Sequence, residues 1–165
     1  MIGPTIIIDT REKRPLCVST YPMERTTLAV GDYGLAGFST WDRPEFIVER
    51  KALDDLVGSL TKGRARFWRE LQKMRAFQFA ALLIEATPDE VELHRYRSRA
   101  TPQSIMASLA AVQVRLGVHI VWGGDPADCA TWLEGAVRQF ARGREKDFAA
   151  LYGSEAVAAA RRPVL

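Results

Sequence analysis

Residues 79–86 (FAALLIEA) are apolar at every position but Glu85, and no other stretch constrains the fold as tightly. A half-buried strand alternates apolar with polar, whereas a strand apolar at both parities is covered on both faces. That places 79–86 at the centre of a sheet carrying helices. The neighbouring segments supply the rest of such a sheet. Residues 5–9, 26–30, 46–51 and 118–122 are short runs rich in β-branched and aromatic side chains, and each predicts a strand. Between them, Leu53, Leu56, Val57 and Leu60 recur at helical spacing, as do Phe67, Leu71, Met74 and Phe77. Ile105, Leu109, Val112 and Leu116 do the same over 102–116, where Thr101 and Pro102 make a good helix start. Asp125-Pro126 opens a further helix to about residue 142, and an Ala-rich segment from 145 to 160 predicts a last one. The order βββαβαβα gives an α/β fold, a mixed central sheet flanked by helices with a helical C-terminal extension.

At 165 residues with 47% hydrophobic content, one domain is expected, 1–142 with 143–165 as its extension. No segment approaches the roughly 18–20 apolar residues that cross a bilayer. The N-terminus lacks a basic region followed by a long apolar stretch, so a cytoplasmic protein is expected. Cys17 and Cys129 stand far apart without metal spacing and suit reduced thiols. The net charge of +3 and a pI near 9.1 permit binding to nucleic acid without requiring it.

The chemistry concentrates in Gly31-Asp32 and in Glu49-Arg50-Lys51, with Asp55 beyond. Sixteen residues separate Asp32 from Glu49, enough to leave one strand and return along the next. Period-2 alternation puts Glu49 and Lys51 on one side of the strand 46–51 and Arg50 on the other. Two carboxylates and an ammonium at one place suit a hydrolytic Mg²⁺ or Mn²⁺ site. Asp32 and Glu49 would hold the hard cation, and Lys51 would stabilise charge on a phosphate. Asp9 ends the first strand near the same sheet edge and is the next candidate ligand. At spacing alone, a salt-bridge cluster at a strand end competes with this reading. No serine, cysteine or histidine arrangement offers a covalent nucleophile, and no Gly-rich loop offers a nucleotide site.

Taken together, Gly31-Asp32-Tyr33, Glu49-Arg50-Lys51 with Asp55, and Asp9-Thr10-Arg11-Glu12 resemble the nuclease domain of the XPF family of structure-specific endonucleases. The family's pattern is GD…ERKxxxD preceded by DxRE. The likeness extends through Gly63-Arg64 and Leu82-Leu83-Ile84-Glu85, from about residue 6 to 140. It implies a restriction-endonuclease-like fold and metal-dependent hydrolysis of branched, flap or junction DNA, in repair, recombination or phage DNA processing. It further implies that Arg11 and Glu12 bind phosphate or complete the network. Arg50 would pair with Asp55 or another carboxylate; Asp55 could equally be only a helix-start charge. Family members carry a helix-hairpin-helix module that binds DNA. The residues after 140 are too few for one, so the domain would cut branched DNA weakly alone or borrow a DNA-binding partner, and the resemblance also implies a homodimer.

Lys62, Arg64 and Arg66, around Gly63, are expected to clamp DNA phosphates, or else to form a solvated helix start. Arg95, Arg97 and Arg99 alternate about Tyr96 as a further basic cluster, or as plain solvated surface. His119, within an apolar strand, predicts a core histidine, and His94 pairs with no ligand. Trp41, Trp68, Trp122 and Trp132 predict packing, with Trp41 the exposed one. Two other readings stay open: a DNA-binding scaffold subunit without catalysis, and a sequence-specific restriction-type nuclease. Frequent Ala and Arg point to a GC-rich prokaryotic or viral genome, and the resemblance to a DNA enzyme implies a nucleoid-associated place in the cytoplasm.

Overall fold

The computed structural model describes residues 4–153 and Glu155. Six strands form one mixed sheet: β1 (Ile6–Ile8), β2 (Met23–Arg25), β3 (Tyr33–Leu35), β4 (Phe46–Ala52), β5 (Phe79–Glu85) and β6 (His119–Trp122). Across the sheet they run β2-β1-β3-β4-β5-β6. β3 is antiparallel to both β1 and β4, while β4, β5 and β6 are parallel. The parallel half requires crossovers. They are made by α1 (Leu53–Leu60) and α2 (Arg64–Met74) between β4 and β5, and by α3 (Pro88–Glu92) and α4 (Pro102–Leu116) between β5 and β6. α5 (Pro126–Tyr152) covers the opposite face.

Two cores result, one on each face. Ile47, Leu82 and Ile84 face α1, α2 and α4, whereas Phe46, Val48, Ala81 and Leu83 face α5. Each parity of β4 and β5 is therefore apolar, and β5 sits inside the sheet as its composition requires. This is the α/β fold with flanking helices that the sequence predicts.

Three sequence expectations are corrected. The second strand is 23–25, not 26–30. Leu28 donates its N–H to Asp9 Oδ2 at 2.7 Å and accepts from Arg11 Nη2 at 3.1 Å, so backbone groups that a ladder would use are taken by side chains. Leu28 and Val30 still enter the core, which explains their strand-like pattern. The strand lies instead just beyond Asp32, at Tyr33–Leu35. Second, α5 runs unbroken through residue 142 to Tyr152, where two helices were expected; residues 154 and 156–160 of the predicted last helix lie outside the described residues. Third, His119 is exposed, because β6 is an edge strand; its ring stacks on Phe79 with centroids 5.3 Å apart. Trp41 is 52% exposed and tilts against Phe77, while Trp68, Trp122 and Trp132 are partly buried. Among the described residues no helix is long and apolar enough to cross a membrane, and Cys17 and Cys129 are free thiols.

Candidate active site

Gly31 places Asp32. Its φ of +77° is in the left-handed region, and a Cβ there would sit 2.7 Å from Ile47 Cγ1 and 3.1 Å from the Val48 carbonyl. Only glycine allows the chain this close to β4. Asp32 then donates its N–H to Val48 O at 2.9 Å, and its Oδ2 accepts the Arg50 N–H at 2.8 Å. The carboxylate is thereby fixed beside β4 between Glu49 and Lys51, with Oδ1 taking no hydrogen bond among the described residues.

Glu49 and Lys51 share the Ile47 face of β4, as alternation predicts. Glu49 is 8% exposed, and Lys51 Nζ lies 2.8 Å from its Oε1 and 5.4 Å from the Phe67 ring centroid. Burial and the neighbouring Glu49 push the Asp32 carboxyl up to about 7. Burial also raises Glu49, against the pull of Lys51. For Lys51, burial disfavours the charge, but the Glu49 carboxylate outweighs it and the ammonium is held above its ordinary range. Two carboxyls that resist ionising together, in a partly dry site, are short of positive charge. A hard divalent cation is the natural complement of that donor set. Among the described residues no three His, Cys, Asp or Glu side chains converge into a metal cage. The fit is thus to a cation held by two carboxylates that keeps open positions.

Asp9 does something else. Both of its oxygens are used: Oδ1 accepts the Arg11 N–H at 2.9 Å and Arg11 Nε at 2.6 Å, and Oδ2 accepts Arg11 Nη2 at 3.1 Å and the Leu28 N–H at 2.7 Å. Its side chain is 1% exposed, and the Arg11 and backbone hydrogen bonds overcome burial to hold its carboxyl below the usual range. The expected third ligand is a saturated brace, because four donors leave no lone pair aimed at a metal. Its backbone N–H bonds Asp32 O at 2.8 Å, so it supports the site through the main chain.

Arg50 points to the α5 face, as expected, but not to Asp55. Its guanidinium pairs with Glu85 through Nε at 2.8 Å and through Nη2, and its Nη1 reaches Arg14 O at 2.6 Å and Glu12 Oε2 at 3.7 Å. Arg50 thereby ties β4, the end of β5 and the 10–15 loop into one unit, and Glu12 joins the network as the resemblance implies. Asp55 is an exposed charge in the first turn of α1. Arg64 turns from the cleft to Ser108 Oγ (3.0 Å) and Leu60 O, over Trp68. Lys62 is exposed outside the cleft lining, whereas Gly63 and Arg66 line it. Arg97 clamps Asp54 through its N–H (3.0 Å) and Nε (2.9 Å), pinning the 95–99 loop to α1, with Tyr96 buried.

Glu85 is the functional residue that sequence reasoning passed over. Its signal was available: a lone carboxylate ending an otherwise apolar central strand must find a cation. Asp32, Arg50, Lys51 and Glu85 border an open cleft of about 750 Å³, which Arg11, Arg14, Asp55, Ser59 and Arg66 also line. Such a site can seat a phosphodiester among cations beside two poised carboxyls.

The ERCC4 domain model matches residues 8–135. The DNA repair endonuclease XPF of Cricetulus griseus is 39% identical over 87 residues, covering 50% of this chain and 9% of that protein. The Drosophila melanogaster XPF is 31% identical over 143 residues, or 79% of this chain and 14% of the relative. The chain therefore spans roughly a tenth of the length of these relatives. XPF from Aeropyrum pernix superposes with a TM-score of 0.64 at 26% identity, covering 85% of this chain and 68% of the other. Its complex with DNA gives 0.63, also at 26% identity, with coverage of 87% and 66%.

Proposed function

The chain belongs to the ERCC4 domain family, and on that premise we propose that it is a divalent-metal-dependent endonuclease that hydrolyses phosphodiesters in branched, flap or junction DNA. The observation that carries the proposal is the Asp32–Glu49–Lys51 constellation: two carboxyls raised by burial and mutual repulsion, with one ammonium 2.8 Å from Glu49. Names of relatives support the substrate class. XPF proteins are named DNA repair endonucleases, and the Aeropyrum pernix neighbour was solved with DNA.

Asp32 and Glu49 would hold Mg²⁺ or Mn²⁺. When bound, the cation would acidify a water and polarise the scissile phosphate. The chain's own residues do the rest. Arg50 N–H fixes the Asp32 carboxylate, so it need not reorganise as charge develops. Lys51, held over Phe67, presents an ammonium to a phosphate oxygen. Arg11, two-thirds exposed while its inner nitrogens grip Asp9, faces the cleft as a phosphate contact. Asp9, Arg50, Glu85 and Glu12 act as braces. A second copy of the chain or a partner subunit supplies further DNA-binding surface.

The test is cleavage of labelled flap, fork, four-way-junction and linear duplex DNA, with Mg²⁺ or Mn²⁺ against EDTA. Metal-dependent cutting of the branched forms is expected, with Asp32→Asn and Lys51→Ala each slower by about a thousandfold or more. Wild-type turnover in either variant overturns the assignment.

A further inference from the structure

The charge on α2 is not explained by the stability of α2. Between Lys62 and Arg75 the chain has six cations and one carboxylate, a surplus larger than the net +3 of the whole protein. The first helical turn carries Arg64 and Arg66 with no acidic residue, and the N-cap Gly63 offers no side-chain cap. Cations there oppose the helix dipole, and like charges three or four residues apart repel. The core face is met by Phe67, Leu71 and Met74. On the opposite side Arg66, Arg69 and Lys73, spaced three and four, form one exposed row, and exposed Lys62 precedes it in the turn before Gly63.

Their partners are few. Arg66 stands 3.7 Å from Glu70, and Lys62, Arg69 and Lys73 make no ion pair or hydrogen bond among the described residues. Arg64, by contrast, is committed to Ser108 and lies over Trp68, which Arg115 flanks from α4 at 5.2 Å. The helix thus sorts its arginines: one is spent on packing, while the row keeps a single long contact, Arg66 to Glu70. Arg66 also lines the catalytic cleft, so the row meets the site there and leads away from it along α2.

We propose that the Arg66–Arg69–Lys73 row is a phosphate track that grips one strand of a duplex arm as it leaves the cleft. The assignment rests on the nuclease reading for its direction. From Arg66 to Lys73 the row is about 10 Å long, from the helical rise of about 1.5 Å per residue. That matches about three phosphate-to-phosphate steps of one strand, which advance about 3.4 Å each along the duplex axis. Long, flexible cations in a row suit the sugar–phosphate backbone, so the track positions DNA without choosing its sequence.

The experiment compares wild type with Arg69→Ala/Lys73→Ala, neither residue belonging to the catalytic cluster. Binding of a fluorescent flap duplex is measured by anisotropy in Ca²⁺ across a salt series. Hydrolysis of thymidine 5′-p-nitrophenyl phosphate, too small to reach the track, is measured in Mn²⁺. The track predicts roughly tenfold or greater loss of affinity at low salt, and a log–log salt slope shallower by about two. Small-substrate hydrolysis and melting temperature stay unchanged. Wild-type affinity and slope in the variant overturn the track, and a markedly lower melting temperature assigns the pair a structural role instead. If neither protein hydrolyses any substrate while the variant alone loses affinity, the track stands and the nuclease reading falls.

Discussion

Asp9 and Asp32 are neighbours joined by a main-chain hydrogen bond, yet the structure puts them to opposite uses. The end of β1 surrounds its carboxylate with four donors and holds it ionised. The entry to β3 gives its carboxylate one donor, places Glu49 beside it, and raises it to about 7. Residue type and sheet position are nearly shared, so the difference lies in what the surrounding loops donate. Satisfied charge braces a fold, and unsatisfied charge waits for a ligand. Three experiments press on that contrast.

The largest effect is expected from Asp32→Asn in the metal-free protein. Folded, the Asp32 carboxyl binds its proton up to about pH 7; unfolded, only up to about 3.8. Between these values the folded state holds more protons, so the stability that Asp32 contributes is full below about pH 4 and is lost as pH rises to about 7. The asparagine variant escapes that decline and should be the more stable at pH 7.5, by of order 2–4 kcal/mol at about 1.4 kcal/mol per pKa unit. The gap should close toward pH 4, and millimolar Mg²⁺ should narrow it by stabilising wild type. Parallel pH–melting curves for the two proteins would erase the contrast. Asp9→Ala should do the reverse: a loss of about 2–3 kcal/mol, because the buried Leu28 N–H and the Arg11 guanidinium lose their acceptor. Denaturant unfolding reads this directly, and an unchanged midpoint would demote Asp9 from brace to bystander.

The sheet was legible in the sequence wherever apolar pattern and backbone agreed. β5 follows from its unbroken apolarity, and Glu49, Arg50 and Lys51 take the faces that alternation assigns. It failed where side chains compete with the ladder. Leu28 and Val30 have the pattern of a strand, but Asp9 and Arg11 claim the Leu28 backbone, and no periodicity reveals a bond made nineteen residues away. The site was legible as a set of residues but not as a division of labour. Asp9 and Asp32 are the same letter; only the donors brought by the loop over Leu28 separate them. The row on α2 was half seen, through Arg66 and the Lys62 before it, because Arg64 resembles its neighbours until α4 comes into contact with it.

Glu85→Gln should give the smallest effect and decides on which side of the contrast the Arg50 cluster falls. Arg50 carries two bonds to Glu85 Oε2, one to the Arg14 carbonyl, and a longer contact to Glu12. Glutamine preserves the acceptor and the shape while removing the charge, so the guanidinium keeps its fork but loses its counterion. Nη1 still holds the 10–15 loop. The cost should therefore be about 1 kcal/mol, the difference between a charged and a neutral hydrogen bond in a partly buried setting. A brace and a ligand respond differently to such a change. If Arg50 and Glu85 brace, the melting temperature falls slightly while the Mn²⁺ concentration at half-maximal cleavage stays at the wild-type value. If that concentration rises severalfold, Glu85 takes part in holding the cation, and the boundary between satisfied and waiting charge runs through β5 rather than between the two aspartates.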